Sequence, residues 1–188
     1  MKEKKSKMFL RKEYNMKTLQ TDRIDSPIGT IVLVVDDEQL CTLDYEEYEQ
    51  RMNTLLQRRY GAFTLVPTRN PGGVSAQLSA YFAGDCNCLD NIPVSTGGTA
   101  FQQQVWLALR TIPPGTTRSY GELAAQLGRP NAYRAVGGTN ALNPIAIVLP
   151  CHRVIGANAS LTGYAGGLER KQWLLQHEGV QSKAIRRG

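Results

Sequence analysis

The residues best suited to chemistry in this sequence are Cys151–Arg153, which bring a thiol, an imidazole and a guanidinium together. They follow the short apolar run Ala146–Leu149, which is bounded by Pro144 and Pro150. An apolar run of this length between prolines predicts a buried extended segment that ends at the second proline. We therefore expect the chain to leave the core at Pro150 and to present the three side chains together.

Cys151 is the predicted nucleophile of this group. A free thiol has a pKa near 8.5 and is mostly protonated at neutral pH, so it needs a base. His152 is adjacent, but neighbours on a regular strand point to opposite faces. A hydrogen bond between Cys151 and His152 therefore requires either a turn at Pro150 or a water molecule that bridges them. An imidazole base also needs an orienting partner. The candidates are Glu178, Glu169 and Glu122, and we favour Glu178 because it ends a helix that should pack on the core.

The remaining thiols and the second histidine carry no such pattern. Cys41, Cys86 and Cys88 are interpreted as small hydrophobic residues, and free thiols are expected rather than disulfides. The sequence has two histidines, His152 and His177, too few for a metal site of the usual local ligand spacing. His177 is interpreted as a residue favoured at a helix C-terminus. We expect neither a metal nor a cofactor.

The charge of the chain is divided between three regions. Residues 1–17 carry seven Lys/Arg and two Glu, residues 18–95 carry five Lys/Arg and eleven Asp/Glu, and residues 96–188 carry ten Lys/Arg and three Glu. The basic C-terminal half is where a polyanion would bind, although many basic surfaces serve only solubility. No apolar run approaches the roughly 20 residues of a membrane span, and no apolar segment follows the basic N-terminus, so we expect a cytoplasmic protein.

These regions predict the domain organisation and an α+β fold class. We expect a flexible basic arm at 1–17, a small α/β domain at 18–95, a mainly helical domain at 96–182 and a short tail at 183–188. In the α/β domain the pattern predicts four strands and two helices. The strands are Thr30–Val35, Leu40–Tyr45, Phe63–Val66 and Cys86–Val94, and the helices are Glu46–Tyr60 and Val74–Phe82. None of these elements is expected to take part in catalysis.

The second domain begins with helices whose start signals are readable. Thr99 is a predicted cap, and Ser119 with Glu122 three residues later predicts a capping box. The helix after Ser119 should end at Gly128, and a further helix should run from Ala132 to about Leu142. Two short helices joined by a tight glycine-containing turn resemble a helix-turn-helix. The paired glycines of the second helix indicate either close approach by another surface or helix-on-helix packing.

Several blocks of the sequence resemble the O6-alkylguanine-DNA alkyltransferases, and most closely the constitutive bacterial type. The resemblance covers about residues 18–180. The blocks, in chain order, are Phe101–Trp106, Ser119–Gly121, Arg134–Gly137, Asn143–Ile145, Pro150–Val154, Gly163–Gly167, Trp173–Leu175 and His177–Gly179. The resemblance implies direct-reversal DNA repair, in which one cysteine accepts the alkyl group irreversibly without a cofactor.

The resemblance also implies roles for the catalytic residues. Cys151 would accept the alkyl group from guanine O6, and possibly from thymine O4. His152 would take the thiol proton through a water molecule, and Glu178 would orient His152. Asn143 would brace the turn before the cysteine. The implied partner is double-stranded DNA that contains O6-alkylguanine, bound by a monomer without a membrane.

A second set of implied roles concerns DNA and the flipped base. Tyr120 would hydrogen-bond the extruded guanine, and Arg134 would fill the gap that it leaves in the duplex. Gly137 would let the second helix approach the minor groove. The base itself would be read by the backbone of Cys151, Val154 and Ala165, and Tyr164 is a further predicted base-binding residue. Two alternatives remain open, namely a lesion-binding protein without transfer activity and a cysteine hydrolase that acts on a small molecule.

Overall fold

The computed structural model of this chain describes residues 16–181 and the backbone of residues 186–187. The expected basic arm lies outside the described residues apart from Met16 and Lys17, and so does most of the expected tail. In the part of the chain that the structure describes, no helix is long and apolar enough to cross a membrane.

The first half of the chain forms a four-stranded sheet with the strand order β3-β2-β1-β4. Strand β1 pairs antiparallel with β2 and parallel with β4, and β2 pairs antiparallel with β3. Helix α1 packs against β3, and α2 packs against β1. The elements are β1 (Lys17–Ile24), β2 (Ile31–Asp36), β3 (Gln39–Tyr45), α1 (Glu49–Tyr60), β4 (Phe63–Pro67) and α2 (Val74–Phe82).

Strand β2 explains how this sheet separates two hydrophobic layers. Val32 and Val34 belong to a small cluster with residues of α1, whereas Ile31, Leu33 and Val35 belong to the main core. Successive side chains of a strand point to opposite faces, so both faces of β2 are buried. The main core continues into the second half of the chain, which places both halves around one hydrophobic interior.

The predicted strand Cys86–Val94 is wrong. Most of this stretch consists of consecutive turns, and Val94 alone pairs with the sheet, through an isolated bridge to Leu40. The Cys88 N–H donates to the Asp85 carbonyl at 3.3 Å, which closes one of these turns. Aspartate and asparagine recur through the segment, and their side chains favour turns over strands. Strand β1, by contrast, begins at Lys17, before the strand pattern is readable in the sequence.

The second half of the chain is mainly helical, and the mixed α+β fold class is confirmed. Its helices are α3 (Ala100–Leu109), α4 (Tyr120–Gln126), α5 (Tyr133–Ala141) and α6 (Leu168–His177), and its two-residue strands are β5 (Arg118–Ser119), β6 (Val154–Ile155), β7 (Ser160–Leu161) and β8 (Arg186–Arg187). The predicted caps at Thr99 and Ser119 are confirmed, and both form capping boxes. Gly128 has φ 70° and ends the turn after α4 in the left-handed region that glycine favours.

The two halves are joined at the edge of the sheet by backbone hydrogen bonds. In β3, the Leu43 N–H donates to the Pro144 carbonyl at 3.0 Å, and the Ala146 N–H donates to the Leu43 carbonyl at 2.9 Å. The guanidinium of Arg51 in α1 donates to the Asn143 carbonyl at 2.6 Å. The segment that leads to Cys151 is thus held in place by the N-terminal sheet.

Candidate active site and DNA-binding surface

The segment before Cys151 is a buried turn, so the prediction of an extended segment is wrong. The Val148 N–H donates to the Ala146 carbonyl at 2.8 Å, and the Leu149 N–H donates to the Ile145 carbonyl at 3.1 Å. Ile147 has φ 69°, a left-handed conformation that is strained for a β-branched residue. Its side chain is buried, so packing in the core stabilises this conformation.

Asn143 supplies the physical reason for this turn. Its side-chain amide donates to the Leu149 carbonyl at 2.8 Å and accepts from the Ile145 N–H at 3.0 Å. One buried side chain therefore bonds to the backbone at both ends of the turn. The sequence pattern showed the apolar character of the run but not this local competition for its backbone groups.

Cys151–Arg153 form a short 3-10 turn, and all three side chains are buried. The expectation that the chain leaves the core at Pro150 is therefore wrong. Burying an imidazole and a guanidinium is unfavourable unless both are hydrogen-bonded and the charge is compensated. The compensating group is Glu178, the residue that follows α6.

Glu178 lies at the centre of what we call the carboxylate cluster, which comprises Glu178, His152, Arg153 and Tyr81. Its Oε1 is 2.9 Å from His152 Nε2, and it accepts from the Tyr81 hydroxyl at 2.8 Å. Arg153 donates to Oε2 at 2.8 Å and to Oε1 at 2.9 Å. Of the other carboxylates considered, Glu122 is engaged in the capping box of α4 and Glu169 is exposed.

The charges of this cluster set the protonation of its members. Burial alone would raise the pKa of Glu178, but the hydrogen bonds of His152 and Arg153 and the charge of Arg153 hold that pKa far below its usual range. Burial lowers the pKa of His152 despite the opposing effect of Glu178, so the imidazole is neutral at neutral pH. Because Nε2 must donate to the carboxylate, Nδ1 is the basic nitrogen. Within the described residues Nδ1 is buried and makes no hydrogen bond with protein.

The thiol of Cys151 lies in a second electrostatic environment. Burial raises the pKa of Cys151, while a hydrogen bond with Asn143 and the charges of Lys171 and Arg51 oppose that rise. Lys171 is fully buried and donates to the Val154 carbonyl at 2.6 Å and to the Thr162 carbonyl at 2.7 Å. Burial lowers the pKa of Lys171 to about 8. The resting thiol is protonated, and the charges of Lys171 and Arg51 favour its ionisation.

A group of residues surrounds Cys151, and we call the region between them the cleft; it comprises Tyr120, Asn140, Cys151 and the loop Thr162–Ala165. The Asn140 amide donates to the Cys151 carbonyl at 3.3 Å. Burial raises the pKa of Tyr120, and hydrogen bonding with Thr162 and Asn140 opposes that rise. A methyl group added to Gly163 would lie 3.9 Å from the Tyr120 hydroxyl oxygen. The cleft therefore brings a phenol, an amide and an exposed loop close to the predicted nucleophile.

The loop of the cleft is anchored to the N-terminal domain. The Tyr164 hydroxyl is 2.9 Å from the Tyr45 hydroxyl of β3. Arg170 lies 4.1 Å over the Tyr45 ring, donates to the Gly166 carbonyl at 3.2 Å and pairs with Glu47. A methyl group on Gly166 would come within 2.3 Å of the Tyr45 ring, so only glycine fits there. These contacts fix the loop that carries Tyr164 and its neighbour Ala165.

Helix α5 presents an exposed face that carries one arginine. Arg134 is exposed, and its guanidinium lies 5.6 Å over the Tyr133 ring. A methyl group on Gly137 would lie 3.6 Å from the Tyr120 ring, whereas none of the described atoms lies within 4 Å of one on Gly138. Gly137 thus packs on the protein, and Gly138 opens outward. Helix packing accounts for Gly137, and the open space beside Gly138 leaves room for another surface to approach.

Several residues that shape the site were not singled out from the sequence. Tyr81 contacts Glu178 from α2, so the N-terminal half, for which no catalytic element was predicted, contributes a side chain to the carboxylate cluster. A signal for Tyr81 was available, since the hydroxyl of a buried tyrosine needs a polar partner. Lys171 and Asn140 carried no comparable signal, because a helix places lysine and asparagine at exposed positions more often than at buried ones. Among the described residues no three His, Cys, Asp or Glu side chains form a group that could hold a metal ion.

Two family descriptions match the two halves of the chain. The ribonuclease-like domain of 6-O-methylguanine DNA methyltransferase matches residues 21–96, and the DNA-binding domain of 6-O-methylguanine DNA methyltransferase matches residues 100–180. The methylated-DNA–protein-cysteine methyltransferase of Shigella flexneri is 50% identical over 167 residues, which cover 87% of this chain and 98% of the relative. The protein of the same name from Mycolicibacterium paratuberculosis is 48% identical over 164 residues, which cover 86% of this chain and 93% of the relative.

The solved structures give the same picture. The structure of Mycobacterium tuberculosis OGT in complex with DNA has a TM-score of 0.70 and 43% identity, and the match covers 88% of this chain and 94% of that one. The Mycobacterium tuberculosis O6-methylguanine methyltransferase has a TM-score of 0.67 and 44% identity, with 85% and 92% of the two chains covered.

Proposed function

The chain belongs to the 6-O-methylguanine DNA methyltransferase family, and from that premise we propose that Cys151 accepts the alkyl group. It is a DNA-repair methyltransferase that acts by alkyl transfer to a cysteine of its own, and DNA is its partner. The observation that carries the proposal is the pairing of His152 Nε2 with Glu178. This pairing leaves Nδ1 of His152, which has no hydrogen-bond partner among the described residues, able to act as a base for the adjacent Cys151.

The proposed substrate is O6-alkylguanine in double-stranded DNA. A base stacked in a duplex is out of reach of a buried thiol, so the nucleotide must be flipped into the cleft. The exposed face of α5 suits the minor groove, where Arg134 meets a strongly negative potential and Gly138 permits close approach. Arg134 then occupies the space left in the duplex, and Tyr120 hydrogen-bonds the extruded base. The backbone of Cys151, Val154 and Ala165 reads its edge.

Proton transfer prepares the thiol for attack. The Cys151 proton passes through a water molecule to His152 Nδ1, while His152 Nε2–H remains bonded to Glu178. Glu178 keeps the imidazole in this tautomer and stabilises the imidazolium that forms. Asn143 holds the turn that sets the position of the sulfur, and the ammonium of Lys171 favours the thiolate.

The alkyl group moves in a single displacement. The thiolate sulfur forms a bond to the alkyl carbon as the bond from that carbon to guanine O6 breaks, and the electron pair of the broken bond stays with the guanine. The restored guanine regains one proton, which balances the proton released by the thiol. The product on the protein is a thioether, which is not readily cleaved, so each molecule reacts once.

The test uses DNA that carries one O6-methylguanine. We expect intact-protein mass spectrometry to show one added methyl group per molecule and peptide mapping to place it on Cys151. The matched variants are Cys151→Ser, which should not be methylated, and Cys86→Ser, which should react like the wild type. Equal methylation of Cys151→Ser would overturn the proposal, and tight lesion binding without a change in mass would favour a lesion-binding protein that does not repair.

We also propose that the protein acts as a monomer, because the groups used in the mechanism come from one chain. A cytoplasmic location is proposed because the related proteins are bacterial and their chromosomal DNA lies in that compartment. Analytical ultracentrifugation with and without lesion DNA tests the first point; an obligate dimer would contradict it.

A further inference from the structure

Asn140 is a buried polar residue to which the proposed mechanism assigns no role. It lies near the end of α5, and its side chain reaches the backbone of Cys151. The amide nitrogen Nδ2 is 3.3 Å from the Cys151 carbonyl oxygen. Its oxygen Oδ1 is buried and has no hydrogen-bond partner among the described residues. A buried acceptor without a partner is unfavourable in a folded protein, so this atom needs an explanation.

The orientation of this amide follows from its neighbour. A backbone carbonyl accepts hydrogen bonds and cannot donate, so the nitrogen end of the Asn140 amide must face the Cys151 carbonyl. The oxygen end is therefore the unpartnered one. Both ends belong to one planar group, so Oδ1 lies one amide width from Nδ2 and therefore near the Cys151 carbonyl. Asn140 also interacts with the Tyr120 hydroxyl, which places the amide between two walls of the cleft.

The chemistry of the proposed substrate limits what Oδ1 could bind there. In O6-alkylguanine the ring nitrogen N1 carries no proton, because the alkyl group fixes O6 as an ether. The hydrogen-bond donors left on the Watson–Crick edge are the two hydrogens of the 2-amino group. An amino group with two hydrogens can bond two acceptors at once, and the cleft offers the Cys151 carbonyl and Asn140 Oδ1 side by side.

We propose that Asn140 is a specificity-determining residue that accepts a hydrogen bond from the 2-amino group of the flipped guanine. Its Nδ2 holds the Cys151 carbonyl in place, and its Oδ1 is the acceptor. The inference rests on the proposed function, since it requires the alkylated guanine to enter the cleft. It adds a side-chain reader to the backbone groups assigned above.

The test compares two substrates that differ only in the amino group. Single-turnover methyl-transfer rates are measured on identical duplexes that contain O6-methylguanine or O6-methylhypoxanthine, which lacks the 2-amino group. The proteins are the wild type, Asn140→Leu, Asn140→Ala and Leu142→Ala. Leucine has the shape of asparagine without its polar atoms, and Leu142 is an exposed neighbour that serves as the control. Two variants at position 140 keep the test informative if one of them fails to fold.

The readout is the ratio of the two rates for each protein. In wild type and Leu142→Ala we expect O6-methylguanine to react faster than O6-methylhypoxanthine. In both Asn140 variants that ratio should fall by about fivefold, the effect of one hydrogen bond. If both substrates slow together in the Asn140 variants, the ratio stays at the wild-type value, which overturns the inference. Absence of methyl transfer by the wild type on either duplex would instead contradict the proposed function.

Discussion

Two buried charged groups near Cys151 are compensated in opposite ways. Glu178 accepts hydrogen bonds from His152, Arg153 and Tyr81 and forms an ion pair with the guanidinium. Lys171 donates to two backbone carbonyls, and among the described residues it forms no ion pair. The pKa of Glu178 is held far below its usual range, whereas burial lowers the pKa of Lys171 to about 8.

This difference separates a structural charge from a responsive one. A carboxylate with every partner in place keeps its charge at neutral pH and fixes the groups around it. An ammonium without a counter-charge is costly to bury, and an anion that forms beside it reduces that cost. The thiolate of Cys151 is such an anion. We infer that Glu178 holds the site together and that Lys171 acts on the reacting sulfur.

The largest expected effect is that of Glu178→Gln. The change leaves the Arg153 guanidinium buried without a counter-charge, which should lower the free energy of unfolding by about 3–5 kcal/mol. It also removes the negative charge that stabilises the imidazolium of His152, so methyl transfer should slow strongly. Urea denaturation and single-turnover kinetics measure the two effects. Glu169→Gln is the matched control, because Glu169 is an exposed carboxylate at the start of the same helix.

The pH dependence of stability gives a second view of the same carboxylate. The folded-state pKa of Glu178 is lowered, so its contribution to stability is present above the unfolded-state pKa near 4.5. That contribution should be lost as the pH falls below this value. Wild type should therefore lose more unfolding free energy than Glu178→Gln between pH 5 and pH 3. Parallel curves for the two proteins would contradict a structural charge at this position.

The next effect in size is that of Lys171→Met. Methionine preserves most of the volume but removes the charge beside the sulfur, so methyl transfer should slow by about tenfold at pH 7. Stability should change less than in Glu178→Gln, because the loss of two hydrogen bonds is offset by the removal of an unpaired buried charge. A variant as destabilised as Glu178→Gln would show that Lys171 is a structural residue.

The pH profile distinguishes these roles of Lys171 further. Lys171 loses its proton near pH 8, so the benefit of its charge to the wild-type rate should disappear above that pH. The ratio of the wild-type rate to the Lys171→Met rate should therefore be largest below pH 8 and approach one above it. The folded pKa is also below the unfolded value of 10.5, so the wild type should gain stability relative to the variant as the pH rises from 8 to 10.5. A constant rate ratio across this pH range would contradict an electrostatic role of Lys171 in methyl transfer.

The sequence was sufficient to predict structural features that depend on neighbouring residues. It was insufficient to predict which buried charges would be neutralised by residues far away in the chain. The capping box at Ser119 and the end of α4 at Gly128 depend on residues a few positions apart, and both were readable. The expectation of an exposed thiol failed because nothing near Cys151 in the sequence shows that Glu178 neutralises Arg153 inside the core. The strand predicted at Cys86–Val94 failed because apolar alternation was outweighed by turn-forming aspartate and asparagine.

The same limit explains why the N-terminal domain was assigned no part in the site. Its link to the carboxylate cluster is the single phenol of Tyr81, which is contributed by α2 and is 97 residues from Glu178 in the sequence. Its link to the turn before Cys151 consists of a pair of backbone hydrogen bonds at Leu43 and a hydrogen bond from Arg51 to the Asn143 carbonyl. Neither contact has a local pattern, because each forms only when the two halves share one core.

The smallest expected effect is that of Tyr81→Phe, which tests whether the N-terminal domain contributes to the carboxylate cluster. Glu178 keeps its bonds to His152 and Arg153, so the loss should be about 1–2 kcal/mol of unfolding free energy and a few-fold in transfer rate. Tyr60→Phe is the matched control, because its hydroxyl bonds to Cys41 Sγ at 3.1 Å away from the cluster. Both variants should lose stability, but only Tyr81→Phe should slow methyl transfer. Equal rates in the two variants would show that Tyr81 does not contribute to methyl transfer and that the members of the carboxylate cluster that do contribute lie in the C-terminal half.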